Sequence, residues 1–427
     1  MSVWIEPRVE PNTVWPMNLF ACCAALLVAT IFVFDPVGFF GLRPIAFVFC
    51  VFFGFPLLIM RSIAIRSLFF LFIFVVLVPI WGLLLFSLFS SGPLKDTSYI
   101  AFSALLGYAG FFARDRHFRL ARAVTFLSST LIASLIFYCN SIMIATGSND
   151  TLSFFTTSSI AVLGFRDYGP ITLPYVFVIS SPLLILGCAM MAFDKSVKRP
   201  TAVVFFGLFF VALFLSGTRS HQAISCILLL LFFFSRYGKA IGTVASVAVI
   251  VVMLGYAMTL IFEMLSLNES NNHQKLSMFS SYAEIFNNPA TLVFGQGFNA
   301  STWSSELRQI VSLEIGATKT ELTYVEIFRV FGFPISFLIL GALFFLLSDS
   351  EKQGGGPDWL RIGIGLQLLN ASINAYLFSF NGAFGLGMLL GLLWQRRQLP
   401  RKDSGTERSF KSVGRVRGRV VSQDYGS

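Results

Sequence analysis

The feature that most constrains this chain is its series of apolar runs, each close to the length of a bilayer-spanning helix. Such a helix needs about 20 mostly apolar residues, within a range of about 17 to 25. Charged residues make up only 12% of the 427 residues, whereas water-soluble domains carry about 25%. The pattern predicts an all-α integral membrane protein with about 12 transmembrane helices, over residues 17–34, 44–60, 67–90, 98–113, 123–145, 171–192, 201–216, 221–235, 240–262, 323–347, 359–378 and 381–395.

The distribution of Lys and Arg predicts the orientation of these helices. Cytoplasmic loops of membrane proteins carry an excess of both residues. If the N-terminus lies inside, the inner segments hold 23 of the 31 Lys and Arg residues and the outer loops hold 7, with Arg329 inside a helix. We therefore expect both termini to be cytoplasmic.

The C-terminal tail accounts for nine of these positive charges. Residues 396–427 are rich in Ser, Gly, Lys and Arg, a composition typical of disordered segments. We expect a disordered cytoplasmic tail near anionic lipid headgroups, following a polytopic domain over residues 1–395. The net charge of +10 is then explained by topology, and no nucleic-acid partner is predicted.

Two predicted outer loops are longer than a connection requires. They cover residues 146–170 and 263–322, whereas helices in bundles are usually joined by about 2 to 8 residues and long ordered loops tend to carry function. We therefore predict that the extracytoplasmic face is the working face. The larger loop precedes the tenth helix and contains "GQG" at 295–297, which lacks the other glycines of a dinucleotide fingerprint and is interpreted as a turn.

Several polar residues reach the outer face under this topology. Arg219 lies within an interruption of the apolar pattern, "SGTRSHQ", and Arg166 stands in "GFRDYGP" before the sixth helix. Lys319 and Glu321 open the tenth helix. Amide side chains recur at i, i+3 and i+7 on the eleventh helix: Gln367, Asn370 and Asn374.

Each of these residues has a structural interpretation beside the functional one. Arg219 could anchor a helix end at the interface, and Arg166 could pair with Asp167. The amide stripe is typical of hydrogen bonds between membrane helices. Glu326 and Arg329, three residues apart, are interpreted as an intrahelical ion pair.

The three histidines do not indicate a metal site. His117 and His273 lie in polar segments far from His221 in sequence, and a catalytic zinc centre needs about three protein ligands. His221, two residues after Arg219, is interpreted as an interfacial histidine with a hydrogen-bond partner. We expect neither a metal ion nor a cofactor.

Arginines at a membrane interface suit phosphate or pyrophosphate, which they bind through charge-assisted and often bidentate hydrogen bonds. A lipid-linked pyrophosphate would place its tail in the bilayer and its head at this depth. A glycosyl pyrophosphate is already activated, because the pyrophosphate can leave once its developing charge is stabilised. A base for the acceptor hydroxyl is then needed, and Glu321 at a helix start is the candidate.

Four short stretches resemble one family of membrane enzymes. The segments "FLSGTRS", "FGQGFNAS", "GATKTELTYVEIFRVFGFPISFLIL" and "NAYLFSFNGAFGLGMLL" are similar, in this order, to the O-antigen polymerase and ligase superfamily (Wzy-like and WaaL-like enzymes). In ligase members a His opens the helix after the large periplasmic loop, followed by a Tyr and, eleven residues on, a Gly. Counting back from Gly332 puts Glu321 at the place of that His and Tyr324 at the place of the Tyr, and the element Lys-x-Glu favours polymerases.

The resemblance implies a polysaccharide polymerase of the bacterial inner membrane, making O-antigen, capsule or exopolysaccharide. Its substrate would be an undecaprenyl-pyrophosphate-linked oligosaccharide at the periplasmic face, and a chain-length regulator protein is an expected partner. The expected site residues are Glu321 and Arg219 as catalytic residues, Arg219, Arg166 and Lys319 for the pyrophosphate, and Tyr324, Asn370 and Asn374 for the acceptor glycan.

Two other functions fit parts of the pattern. A ligase of the same superfamily would move finished glycan to lipid A core or to protein. A lipid-linked oligosaccharide flippase or another transporter would need charges deep within several helices, whereas the charged residues of this chain fall almost entirely at the ends of the predicted helices.

Overall fold

The structure is a computed structural model. It describes residues 72–89, 119–168, 171–238, 280–298, 322–352, 358–372 and 380–397, together with single positions within 27–42 and 243–247 and at 69 and 112. Most of these residues are helical.

The helices follow one another along most of the described chain. A π-helical turn, Phe72–Leu77, leads into α1, Val78–Phe89. The elements that follow are α2 (Arg119–Thr146), α3 (Ser153–Thr157), β1 (Ala161–Tyr168), β2 (Ile171–Val178), α4 (Leu183–Phe193), α5 (Arg199–Leu215), α6 (Arg219–Tyr237), α7 (Pro289–Phe294), α8 (Thr323–Lys352), α9 (Asp358–Ala371) and α10 (Phe380–Arg397).

Three of these helices are long and apolar enough to cross a bilayer: α2, α6 and the Thr323–Ser348 part of α8. Shorter apolar helices cover Phe72–Leu88, Leu183–Phe193 and Arg199–Leu215. These findings support a helical membrane protein. The number of 12 spans and their orientation stay predictions, because the predicted runs at 44–60, 98–113 and 240–262 lie mostly outside the described residues.

The prediction of one helix over 171–192 is wrong, and with it the prediction that every regular element is helical. Residues 171–178 form strand β2, which pairs with β1 in an antiparallel hairpin, and α4 begins only at Leu183. Pro174 has no N–H for a helical hydrogen bond, and the β-branched and aromatic residues around it favour a strand. Pro182 directly precedes the helix, where a proline is well tolerated. The predicted loop 146–170 accordingly contains α3 and β1.

The hairpin is partly embedded in the bundle. Ala161 pairs with Val178 and Leu163 with Val176, and all four of these side chains are buried. Alternate residues of each strand therefore face the protein, as the two-residue period of a strand requires. Non-helical backbone in a membrane protein is tolerated where protein buries it, and the strand pairing satisfies the backbone groups here.

Helix α4 is the centre of the bundle. Every residue from Leu183 to Ala192 is buried, and the helix packs against α2, α5, α6 and α9. Small residues allow this close approach: a Cβ on Gly187 would lie 2.3 Å from Ser129 Oγ, and one on Gly363 would lie 2.7 Å from Leu186. With 11 residues, α4 is only about 16 Å long. The buried side chains of the hairpin extend the hydrophobic core beyond the start of this helix.

The basic loops meet at one end of this bundle. Arg122 at the start of α2 forms an ion pair with Asp194 after α4, at 2.5 Å. Arg236 near the end of α6 donates to the carbonyl oxygens of Met191, Asp194 and Val197. Of three segments predicted to share the cytoplasmic side, 114–122 and 235–239 therefore both contact the third, 193–200. The hairpin and the α5–α6 junction lie at the opposite end.

Candidate functional site

The apolar run around Arg219 is interrupted at residues 216–218, where α5 ends and α6 begins. Gly217 adopts a φ of +74°, a conformation that disfavours any residue with a Cβ. A Cβ at this position would also lie 2.3 Å from the Cβ of Tyr175 on β2. Thr218 caps α6, since its hydroxyl accepts the backbone N–H of His221 at 3.3 Å. The predicted break is confirmed, and Arg219, partly buried, is the first residue of α6.

His221 connects this break to another helix. Its side chain is fully buried; Nδ1 lies 2.7 Å from Ser216 Oγ and Nε2 lies 3.2 Å from Nδ2 of Asn370 on α9. The ring of Phe177 on β2 packs beside it, with 5.7 Å between the ring centroids. The interpretation of His221 as a partnered histidine is confirmed.

The amide stripe of α9 makes hydrogen bonds between helices. Gln367 Nε2 donates to Pro182 O at 2.9 Å, at the start of α4. Asn370 is 1% exposed and meets His221. Both described members of the stripe therefore tie α9 to its neighbours, as is common between membrane helices.

Tyr324 joins a third element to the same place. It lies in the first turn of α8 and its hydroxyl donates to Leu368 O at 2.5 Å, two residues before Asn370. The start of α6, the end of α9 and the start of α8 are therefore linked through His221, Asn370 and Tyr324. Sequence patterns pointed to each of these residues separately.

The hairpin completes this end of the bundle. Arg166 stands on β1 opposite Leu173 of β2, and Tyr175, two residues further along β2, contacts Gly217. The structure thus brings the strand that carries Arg166 to the helix break that carries Arg219. Lys319, Glu321 and Asn374 lie outside the described residues, as do the side chains of Arg166 and Asp167.

A second polar cluster is buried further along α8. Arg329 and Glu326 form the predicted intrahelical ion pair, with Nε and Nη2 each 2.8 Å from Glu326 Oε2. Tyr282 donates its hydroxyl to Glu326 Oε1 at 2.7 Å, and Arg329 Nη1 donates to Gln296 Oε1 at 3.2 Å. Sequence reasoning found the pair but missed Tyr282 and Gln296, which lie 44 and 33 residues away along the chain.

The cluster lies beside a kink in α8. Gly332 has a φ of +70° and Pro334 follows it; proline has no N–H to donate to the carbonyl of Val330, four residues earlier. The segment 295–297 supplies donors at the kink: Gly297 N bonds Val330 O at 3.0 Å, in place of the N–H that Pro334 lacks, and Gln296 N bonds Arg329 O at 2.7 Å. The interpretation of "GQG" as a turn is wrong, because residues 295–297 form an irregular segment after α7 in which both glycines have a positive φ.

Chemically, the α6 start offers a cation at a helix N-terminus, where the helix dipole also favours an anion. Among the described residues, no group of three or more His, Cys, Asp or Glu side chains could hold a metal ion. No protein-family model, no curated protein and no solved structure matches this chain. Fold and site together therefore define a helical membrane protein with a polar site where α6, α8, α9 and the hairpin meet.

Proposed function

We propose that this protein is a polysaccharide polymerase of the bacterial inner membrane. It transfers a growing glycan from undecaprenyl pyrophosphate onto a lipid-linked repeat unit at the periplasmic face. The observation that carries the proposal is the meeting of the α6 start (Arg219), the α9 end (Asn370), the α8 start (Tyr324) and the strand bearing Arg166, opposite the basic loops.

The chemistry requires a site for pyrophosphate and a base. Arg219 binds the pyrophosphate of the donor, helped by Arg166 and Lys319, and so stabilises the charge that develops on the leaving group. The acceptor hydroxyl oxygen attacks the anomeric carbon, and the bond from that carbon to the pyrophosphate oxygen breaks with its electron pair. Glu321 takes the hydroxyl proton. The products are a lengthened glycan and undecaprenyl pyrophosphate.

The proposed sidedness follows from charge. The end that gathers Arg122, Arg236 and Asp194 belongs to segments rich in Lys and Arg, which favour the cytoplasm. The site then faces the periplasm, where nucleotide sugars are not supplied and lipid-linked donors are. Tyr324 and Asn374 would line the acceptor side, and Asn370, buried and bonded to His221, would hold that side in place. A chain-length regulator protein is the proposed partner.

Deletion of the gene tests this proposal. Surface glycan from the deletion strain is separated on a gel beside the parent strain. A polymerase mutant leaves single repeats, whereas a ligase mutant accumulates long chains on the lipid carrier. An unchanged ladder, or loss of all extracytoplasmic repeats as for a flippase, would contradict the proposal.

A further inference from the structure

We propose that His221 is a positioning residue, which holds the backbone before Arg219 in the conformation that lets the Arg219 side chain bind the pyrophosphate. This inference rests on the proposed function of Arg219. His221 is completely buried, so it acts through the helix break and not by touching substrate. No sequence motif assigned it this role.

The hydrogen-bond pattern fixes the proton on the imidazole. Ser216 Oγ lies 2.6 Å from Leu213 O, and because a carbonyl oxygen can only accept, the hydroxyl proton is used there. Ser216 Oγ must then accept from His221, which puts the ring proton on Nδ1. His221 Nε2 carries the lone pair and accepts from Asn370 Nδ2. All three side chains are satisfied by a single neutral tautomer.

His221 holds the break from both sides. Its imidazole binds Ser216, the residue directly after α5, while its backbone N–H binds Thr218, the N-cap of α6. Gly217, between them, is pressed against Tyr175. The path of the chain into Arg219 is therefore set by contacts that converge on one residue.

The other side of the ring couples the break to the rest of the site. Asn370 lies two residues beyond Leu368, whose carbonyl accepts the hydroxyl of Tyr324. Loss of the imidazole would remove the partner of Ser216 Oγ and of Asn370 Nδ2, both of which are buried. Because unpaired buried polar groups cost free energy, the local backbone is expected to shift. The expected consequence is a misplaced Arg219 with the helices otherwise in place.

The test is a double-mutant cycle on binding. Full-length protein in lipid nanodiscs is titrated with farnesyl pyrophosphate, a short isoprenoid pyrophosphate, for wild type, R219A, H221A and R219A/H221A. We expect H221A to weaken binding by about tenfold, the size associated with unpairing a buried hydrogen-bonding group. Because His221 acts through Arg219, the double variant should bind no more weakly than R219A alone.

Partial replacements separate positioning from general packing. H221N keeps a donor near Ser216 and H221Q keeps an acceptor near Asn370, so each should restore part of the lost affinity. S225A is the matched control, because it removes a buried hydroxyl of the same helix that bonds within that helix, to Gln222 O. If H221A does not fold, S216A and N370A each remove one partner and keep the imidazole.

The outcomes are distinguishable. Additive effects of R219A and H221A, or wild-type affinity in H221A, would overturn the positioning role, as would equal losses in S225A and S216A. If wild-type protein binds the pyrophosphate and the cycle is non-additive, but no polymer is formed from lipid-linked repeats, the proposed function fails and the positioning of Arg219 stands.

Discussion

Arg219 is the residue on which the proposed chemistry depends most. It begins a helix two residues after a glycine of positive φ. Its position is therefore fixed by the break between two helices and not by a continuous membrane span. An arginine that only anchored a helix end would be replaceable by lysine, since both side chains reach the interface with a positive charge.

Replacing Arg219 by Lys therefore distinguishes anchoring from pyrophosphate binding. We expect R219K to restore little polymer relative to R219A, because lysine lacks the planar fork that binds phosphate oxygens in pairs. The measurement is the glycan ladder from a deletion strain complemented with each variant, with membrane levels of the protein checked by immunoblot. A full-length ladder from R219K would show that charge alone is sufficient.

Glu321 is the proposed base, one residue before the described start of the α8 region at Leu322. E321Q preserves size and hydrogen bonding but removes the carboxylate, so polymer should be lost, by 100-fold or more on the scale of about 10²–10⁴ that general-base catalysis contributes. The same ladder assay applies. E314Q, a carboxylate removed from the same predicted loop, is the control and should be neutral. Normal chain length in E321Q would refute the general-base role.

At the scale of elements, the kink of α8 is held by the irregular segment 295–297, which precedes it by more than thirty residues. A Cβ on Gly332 would lie 2.2 Å from Val293 O, and the φ of +70° disfavours any other residue. The residue that follows this segment also bonds to α1, since Phe298 N donates to Gly82 O at 3.3 Å. The α1, α7 and α8 segments are thus fastened together at this point.

The G332A variant should therefore be destabilised, by roughly 1–3 kcal/mol from backbone strain alone. Thermal unfolding of purified protein in detergent measures the change. G341A is the matched control in the same helix, since a Cβ there meets nothing within 4 Å and alanine favours a helix over glycine. Equal unfolding temperatures for G332A and G341A would contradict the role assigned to the kink.

Local signals predicted some elements well and others poorly. The α5–α6 break was predictable because Gly217 and Thr218 are a local stop and a local cap. The hairpin was missed because the high average hydropathy of residues 171–192 is compatible with a buried strand as well as with a helix. Pro174 was the signal against a single helix. Glu326 and Arg329 bond to Tyr282 and Gln296, respectively. Both contacts join residues that are far apart in the sequence, so no local pattern predicts them.

For the molecule as a whole, the distribution of Lys and Arg predicted which segments lie at the same end of the helix bundle. Arg122, Asp194 and Arg236 meet, although their segments are separated by whole helices. The convergence of Tyr324, Asn370 and His221 could not be predicted from the sequence, because periodicity shows which face of a helix is polar and not which helix it meets. The packing of the helices around α4 determines which helices meet.

Sidedness is testable by labelling. In a variant whose native cysteines are replaced, D150C and K195C introduce a thiol at exposed positions at opposite ends of the bundle. A membrane-impermeant maleimide should label D150C in intact spheroplasts and K195C only after permeabilisation, because the basic end is expected inside. The reverse pattern would invert the topology and put the site in the cytoplasm.

The central claim is that this chain polymerises glycans carried on lipid pyrophosphate. Its most direct test is the purified wild-type protein in liposomes, supplied only with undecaprenyl-pyrophosphate-linked repeat units. The predicted result is a ladder of lipid-linked glycans, with one undecaprenyl pyrophosphate released for each bond formed and no ladder from R219A. Wild-type protein that binds these units but leaves them as single repeats would contradict the claim.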